Sequence, residues 1–302
     1  MDLLVGLRSK SGTHEGIHTA SGAAYWVSGS LVAVATAAAA GTFFVPGVLR
    51  GAAVMNGSAR GTALVLLVVG LPTLIAAMYW ATRGSLRAQV LWLGVVGYLI
   101  YNSVMFVIAT PLNQLYLLYE AMLGLSIWAA VLVIHNLDVG SFRERFSLRF
   151  PVRGIATYAL AITAMNAVVW LAGAVPAVLS TGSPAAVLSG TGLTTVPTYD
   201  QDLAFWLPLT AVGAIWLWRG RSWGYLIVGA VLTTWVIEGI GVAADQWFGH
   251  AADPSSTVAG LVMVPVFLGL AVIGLVPAFF YYRNLDDRGV EAVDGRPSRP
   301  MR

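Results

Sequence analysis

The chain has 302 residues, of which 58% are hydrophobic and only 10% are charged, and its formal net charge is +3. Soluble domains carry roughly 25% charged residues, so this composition excludes an ordinary water-soluble fold. A soluble fold could not bury so much apolar surface, and lipid must be the solvent for most of the chain. The absence of cysteine excludes disulfides and thiolate metal sites. The basic residues are spread over connecting segments, which argues against a nucleic-acid partner and is typical of loops that anchor membrane helices.

Eight apolar stretches are long enough to cross a hydrocarbon core of about 30 Å as helices, which needs about 20 residues each. They are too long and too continuous to be the strands of a membrane β-barrel, which have about 10 residues. Backbone groups in lipid must be hydrogen-bonded within their own segment, so we predict an all-α polytopic bundle of eight transmembrane helices. The predicted helices cover about 23–45, 62–82, 88–110, 112–135, 154–175, 202–218, 223–244 and 258–282.

The Lys and Arg residues predict the orientation. Of the 17, only Arg50 and Arg60 lie outside the segments that share a side with the N-terminus. Positively charged loops stay in the cytoplasm, so we predict a cell-membrane protein with both termini cytoplasmic. An alternative for the first span is a signal peptide with cleavage near Ala38-Ala39-Ala40, which would leave seven spans.

The segments outside the apolar stretches are of two kinds. Residues 1–20 and 286–302 are polar or charged, and we predict mobile cytoplasmic tails on either side of one transmembrane domain, 21–285. The segment 176–201 is rich in Pro, Gly, Ser and Thr. We predict an outer loop, and a loop of this length is typically functional or disordered.

Two stretches at an offset of 136 positions share a residue pattern. The matching residues are Leu71-Pro72, Trp80 and Arg83-Gly84 in the first stretch and Leu207-Pro208, Trp216 and Arg219-Gly220 in the second. This offset carries span one onto span five and span three onto span seven, which would give a parallel repeat of four plus four spans. The two prolines would kink their helices at comparable depths. The pattern could also arise by composition alone, since such residues are common in membrane helices.

Acidic residues inside the predicted spans are the first candidates for function. Glu120 lies in the fourth span and Glu238 in the seventh, and an ionisable group there costs roughly 2.5–3.5 kcal/mol on insertion scales. Both enter from the outer side, about 12 Å and about 9 Å deep respectively at about 1.5 Å per residue. Asp202 lies at the outer mouth of the sixth span, where it could instead be a helix cap. A buried carboxyl could also be protonated and purely structural.

Uncharged polar side chains share helix faces with these acids. Asn113, Tyr116 and Glu120 are spaced i, i+3, i+7, and Thr234, Glu238 and Gly241 form a second such face. Asn102 corresponds to Glu238 at the repeat offset, so spans three and seven are the best candidates to line a polar cavity. Asn and Tyr could instead be hydrogen-bonded glue between helices, worth about 0.6 kcal/mol each. The remaining cavity candidates are Tyr98, Tyr101 and Asn166.

Motifs for other chemistry are missing from the sequence. We find no Gly-rich phosphate loop, HExxH or GxSxG pattern, and His135 with Asp138 has no second set of ligands nearby. We therefore predict no catalytic residue, no cofactor and no metal site. An intramembrane enzyme that uses the carboxylates as acid and base is the least favoured hypothesis.

Four stretches resemble a family of uncharacterised bacterial multi-pass membrane proteins. They read RGSLRAQVLWLGVVGYLIYNS, PLNQLYLLYEAMLGLS, LTTVPTYDQDLAFWLPL and RGRSWGYL, and the likeness covers roughly spans two to seven. The resemblance implies a bacterial inner-membrane protein and brings no activity with it. It also implies that an acid at the position of Glu120 is not shared, which raises the segment around Asp202 as a candidate.

Two hypotheses for function follow. The first is transport of a small solute or cation through an outward-facing acidic vestibule, and it predicts that Glu120, Glu238 and Asp202 face one water-accessible cavity. The second is a non-transporting sensor, assembly factor or partner subunit that uses the loop 176–201. The lipid bilayer is the partner that both require.

Overall fold

The computed structural model describes residues 21–180 and 188–287, and within them the chain forms an all-α bundle of nine helices. In chain order these are α1 (Gly22–Phe44), α2 (Ala53–Ala81), α3 (Leu86–Ile108), α4 (Tyr116–His135), a 3₁₀ helix (Val139–Arg145), α5 (Val152–Leu179), α6 (197–218), α7 (Ser222–Ala252) and α8 (Met263–Asn284). Among the described helices, all but the 3₁₀ helix and α6 are long and apolar enough to cross a membrane, which makes seven. The predicted all-α, multi-pass membrane fold is confirmed.

The helix ends differ from the predicted ones most at α2 and α7. α2 begins at Ala53 instead of 62, and α7 ends at Ala252 instead of 244. Both extensions contain polar residues, yet they pack against each other, since a Cβ on Gly57 would meet the backbone of Gly249 at 2.9 Å. A span predicted from hydropathy stops where polar residues begin. Here the two helices continue past those residues because they pack against each other.

The predicted loop 176–201 is partly helical. α5 continues through Pro176 to Leu179, and α6 begins at Pro197. A proline suits the first turn of a helix because the amide it lacks has no helical partner there. Residues 181–187 lie outside the described part of the chain. The described structure therefore shortens the predicted loop at both ends.

α2 and α6 share an unusual feature, a single π-helical turn followed by a Leu-Pro pair. The turns are Leu66–Gly70 and Asp202–Trp206. Proline removes an amide donor and crowds the carbonyl four residues earlier, and a wider π turn accommodates both effects. The π turns directly precede the Leu-Pro pairs at which we predicted kinks, and the kinks themselves stay a prediction.

The two helices also end in the same kind of turn. Gly84 and Gly220 have positive φ values of 79° and 68°, which an L side chain rarely adopts. In the Schellman motif, a helix ends at such a glycine, and the amide of the next residue donates a hydrogen bond to a carbonyl five residues earlier. The returning bonds run from Ser85 N to Trp80 O and from Arg221 N to Trp216 O.

α7 lies at the centre of the bundle. It packs against α2, α3, α6 and α8, and it has the largest buried share of the seven long helices. α3 packs against α2, α4 and α7, and α1 closes the side formed by α2 and α4. α5 packs mainly against α6 and exposes most of its aliphatic side chains, as expected for a helix in contact with lipid.

One end of the bundle collects most of the arginines of the described residues, and we call it the arginine-rich end. It comprises the connections 82–85, 136–151 and 219–221 and the end of α8. Ser222 Oγ donates to Gly140 O at 2.8 Å, and Arg143 donates to Gly220 O at 3.3 Å. These bonds place the turn after α6 against the 3₁₀ helix that precedes α5. α6 therefore returns the chain to the end at which α5 begins.

The predicted tails fall largely outside the described residues, which stop at Asp287. Asp286 N donates to Arg145 O at 2.8 Å. Asp287 accepts hydrogen bonds from Arg87 N at 2.8 Å and Ser85 Oγ at 3.1 Å, which caps the first turn of α3. These two residues of the predicted segment 286–302 are thus bound to the bundle.

We expect Gly61→Ala to weaken the contact between α2 and α7. A Cβ there would lie 2.6 Å from the carbonyl of Ala244 and 2.7 Å from Asp245 N, and backbone atoms cannot move aside easily. Overpacking of this kind costs about 1–3 kcal/mol. Thermal unfolding in detergent measures the loss. Gly124→Ala on α4 is the matched control, since a Cβ there meets nothing within 4 Å. Equal melting temperatures for the two variants would contradict this packing.

Candidate functional site

The centre of the site is a hydrogen bond between α3 and α7. Asn102 Nδ2 donates to Glu238 Oε2 at 2.8 Å and to the carbonyl of Tyr98 at 3.1 Å. Asn102 is 3% exposed and Glu238 is 6% exposed. Counted from the first residue of their helices, both lie about 24 Å along at about 1.5 Å per residue. α3 and α7 therefore run side by side with these two residues at the same height.

Asp245 lies on the same face of α7, two turns beyond Glu238, and is held by α2. Its Oδ1 accepts a hydrogen bond from Thr62 Oγ1 at 2.8 Å, and its carbonyl accepts one from Ser58 Oγ at 3.1 Å. The close approach depends on Gly57 and Gly61, whose spacing is the small-residue pattern that lets membrane helices touch.

Asp202 is 3% exposed and lies in the π turn of α6. Trp170 of α5 donates its indole N–H to Oδ2 at 2.8 Å, whereas Oδ1 has no hydrogen-bond partner among the described residues. The hydroxyl of Tyr101 interacts electrostatically with the carboxyls of both Asp202 and Glu238. Because α6 begins at Pro197, Asp202 is not the first-turn cap that the sequence allowed.

Asp202, Glu238 and Asp245 form what we call the acid cluster. The charge of Glu238 interacts with those of both aspartates, and the neighbouring groups are the hydroxyls of Tyr98 and Tyr101 and the amide of Asn102. No Lys or Arg of the described residues forms an ion pair with these acids, whereas Arg87 pairs with Asp287 at the arginine-rich end. The acid cluster is therefore held by neutral donors.

Direct contact between α3 and α7 closes the cluster towards the arginine-rich end. Thr234 Oγ1 donates to Gly94 O at 2.9 Å, and a Cβ on Gly94 would lie 2.7 Å from Ala230 O. A Cβ built on Gly97 would lie 2.7 Å from Thr234 Oγ1. Two helices that touch at this distance leave no room for water between them.

The opposite end is more open. A groove of about 630 Å³ lies between the end of α5, the segment 188–196 and the first turns of α6, and Tyr199 and Asp200 contribute to its wall. The ring of Tyr199 packs on Trp170, with centroids 4.7 Å apart. Since Trp170 also binds Asp202, these two aromatic side chains separate the groove from the acid cluster.

The other predicted residues lie elsewhere. Glu120 accepts a hydrogen bond from Tyr116 at 2.6 Å, within α4, and α4 packs mainly against α1 and α3. Asn113 is not on the helix, because α4 begins at Tyr116, and its Oδ1 instead accepts from Leu115 N at 2.8 Å. Asn166 is half-buried on α5, one turn before Trp170. The structure thus brings Asp202 and Glu238 together and leaves Glu120 apart from them.

Asp245 and its partners are the part of the site that we did not predict. Asp245 marks only the outer end of the predicted seventh span, and Thr62 only the start of the second. The signal in the sequence was Gly57-Ser58-Ala59-Arg60-Gly61, a GxxxG pattern typical of close helix contacts. That pattern marks α2 as a close neighbour of another helix but does not name the helix.

Comparison with protein families, with curated proteins and with solved structures found no match to this chain. The chain is a multi-pass helical membrane protein, and the resemblance to uncharacterised bacterial proteins stays a prediction. Within the described residues, no group of three or more His, Asp or Glu side chains is placed to hold a metal ion.

We expect Glu238→Leu to destabilise the fold and Glu238→Gln to preserve it. Leucine leaves the buried amide of Asn102 without its partner, and an unsatisfied buried donor costs about 1–3 kcal/mol. Glutamine retains an acceptor oxygen at the same position. Thermal unfolding of both variants in detergent measures the difference. Equal losses in both would show that the charge, and not the hydrogen bond, stabilises the contact between α3 and α7.

Proposed function

We propose that this protein transports a small cation or cationic solute across the cell membrane along a path through the acid cluster. The observation that carries the proposal is the burial of Glu238 beside Asp202 and Asp245, with no Lys or Arg among the described residues bonded to any of the three. Acids buried within membrane spans are expensive and mark ion or proton pathways by default.

The arrangement supports a path that starts at the groove on the acidic end. From the groove beside Asp200, the path passes Tyr199 and Trp170 to reach Asp202, and the hydroxyl of Tyr101 links Asp202 to Glu238. Beyond Glu238 the contact of α3 with α7 at Gly94 blocks the way to the arginine-rich end. This geometry fits a transporter in a state in which Tyr199 and Trp170 separate the acid cluster from the groove at the acidic end.

The direction of the path depends on the topology, for which we propose eight spans. α6 returns the chain to the arginine-rich end, and its residues 197–218 extend about 33 Å at about 1.5 Å per residue, enough to cross the hydrocarbon core. The acidic and amide groups of Asp200, Gln201 and Asp202 make α6 less apolar than the other long helices. The arginine-rich end would then be cytoplasmic, in a bacterial inner membrane, and the acid cluster would open outward.

A parallel repeat of four plus four spans is also part of this proposal. The π turns of α2 and α6 and the positive-φ glycines Gly84 and Gly220 recur at the offset found in the sequence. Asn102 and Glu238 are 136 positions apart and are bonded to each other. Equivalent residues meet in this way where two repeats pack about a shared two-fold axis.

Single cysteines test the eight-span topology, because the chain contains no cysteine of its own. We expect Glu144→Cys and Arg221→Cys to be protected from a membrane-impermeant maleimide in intact cells, and Ser255→Cys to react. Glu144 precedes α5, Arg221 follows α6 and Ser255 follows α7. Labelling of Arg221→Cys together with protection of Ser255→Cys would show that α6 does not cross the membrane.

Charge movement in proteoliposomes tests transport. We expect wild-type protein on a solid-supported membrane to give currents on a concentration jump of at least one of H⁺, Na⁺, K⁺ or small organic ammonium ions. Glu238→Gln should reduce them by about tenfold or more, because it removes the central charge of the path. Glu120→Gln is the matched control and should behave as wild type, since Glu120 is bonded only within α4 among the described hydrogen bonds.

Two results would contradict the proposal: wild-type currents that survive Glu238→Gln, and a wild-type protein that is inert to the whole panel. The second result would favour the hypothesis of a non-transporting sensor or partner subunit. That hypothesis relies on the segment 176–201, whose described polar contacts, such as Thr195 to Asp200 at 2.7 Å, are local.

A further inference from the structure

Tyr98 carries a hydroxyl that no group in the described part of the chain binds. The side chain is fully buried, and its Oη has no hydrogen-bond partner among the described residues. The hydroxyl lies where it interacts electrostatically with both Glu238 and Asp245. A buried hydroxyl left without a partner costs about 1–3 kcal/mol, and proteins commonly satisfy such groups with an ordered water.

Gly241 places a small space beside this hydroxyl. A Cβ built on Gly241 would lie 3.5 Å from Tyr98 Oη and 3.9 Å from Glu238 Oε2, which are ordinary contact distances. The backbone of α7 therefore leaves about the volume of a methyl group between a phenolic hydroxyl and a carboxyl oxygen. One water molecule has a similar size.

The position of Gly241 along α7 places this space between two acids. Glu238, Gly241 and Asp245 are spaced i, i+3, i+7 and share one helix face. Gly241 thus lies between the two acids, about 4.5 Å along the axis from the first and about 6 Å from the second at about 1.5 Å per residue. A side chain at this position would stand between the two carboxyls.

We propose that water at Gly241 carries protons between Asp245 and Glu238, and that the cation moved by this protein is the proton. This inference rests on the proposed transport function and names its ion. In the inward step the carboxyl of Asp245 gives a proton to water, and water gives a different proton to the carboxylate of Glu238. Asp245 is then ionised and Glu238 neutral, each water is unchanged, and no electron moves. The Tyr98 hydroxyl orients the water.

The donor set favours a proton over a metal ion. Hard cations such as Ca²⁺ or Mg²⁺ take about six or more oxygen ligands, whereas the atoms nearest this space include one hydroxyl and one carboxyl oxygen. The titratable groups that face Glu238 are Asp202 from α6, Tyr98 and Tyr101 from α3, and Asp245 from α7. α2 contributes the neutral hydroxyl of Thr62, which binds Asp245. Among the described residues, no Lys or Arg forms an ion pair with these carboxyls.

Two small substitutions test the inference. Gly241→Ala fills the space, and Tyr98→Phe removes only the hydroxyl. We expect each to reduce the current driven by a fixed pH gradient by about tenfold or more, in line with the loss of one positioned proton-transfer group. Thermal stability should not fall, because the hydroxyl has no hydrogen-bond partner within the described ranges and alanine favours a helix over glycine by about 1 kcal/mol.

Matched controls exist for both changes. Gly269→Ala adds the same methyl group on α8, where nothing lies within 4 Å. Tyr25→Phe removes another buried hydroxyl without a described partner, on α1. Both controls should carry wild-type proton currents. A loss of current in the controls equal to that in the test variants would overturn the inference.

The remaining outcomes separate the inference from the function it rests on. Currents driven by Na⁺ or K⁺ at constant pH, without a proton current, would overturn the inference and leave cation transport standing. Wild-type proton currents in Gly241→Ala and Tyr98→Phe would do the same. A wild-type protein inert to protons and to every other cation tested would overturn the proposed function, and the inference with it.

Discussion

A carboxyl group placed in lipid has to find its partners inside the protein, and this constraint organises the bundle. Glu238 meets it through Asn102, which also bonds the carbonyl of Tyr98. That contact requires α3 and α7 to lie side by side at the same height, and Gly94 lets them touch. α7 is consequently surrounded by other helices, whereas α5 at the periphery exposes aliphatic side chains. The polar pair defines the centre, and the apolar helices fill the space around it.

The other two acids follow the same rule by different means. The carboxyl of Asp245 accepts a hydrogen bond from the Thr62 hydroxyl of α2, which reaches it because glycines bring the two backbones together. Asp202 accepts a hydrogen bond from the indole N–H of Trp170. It lies in a π turn that precedes Pro208, and π turns recur at functional sites. An unusually close helix contact thus positions the carboxyl of Asp245, and a π turn positions that of Asp202.

Under the proposed repeat, the two halves share a backbone arrangement but differ in the side chains at equivalent positions. The π turn of α2 begins with Leu66, and the corresponding turn of α6 begins with Asp202. Asn102 in the first half faces Glu238 in the second. The first half contributes neutral donors and the second half contributes the acids, so the charges gather on one side of the shared axis. A site built in this way can hold negative charge without a basic partner, because neutral amide and hydroxyl groups supply the hydrogen bonds.

The sequence by itself determined the helical class, the membrane setting and the grouping of arginines in the connections, because the lipid solvent acts on every residue through its own polarity. The i, i+3, i+7 spacing also identified the face that holds Thr234, Glu238 and Gly241, and the repeat offset matched Asn102 to Glu238. Only the tertiary structure decided which faces meet. It paired Asp245 with Thr62, separated Glu120 from Glu238, and removed Asn113 from its helix. These outcomes depend on contacts between residues far apart in the chain, and periodicity within one helix contains no information about its neighbour.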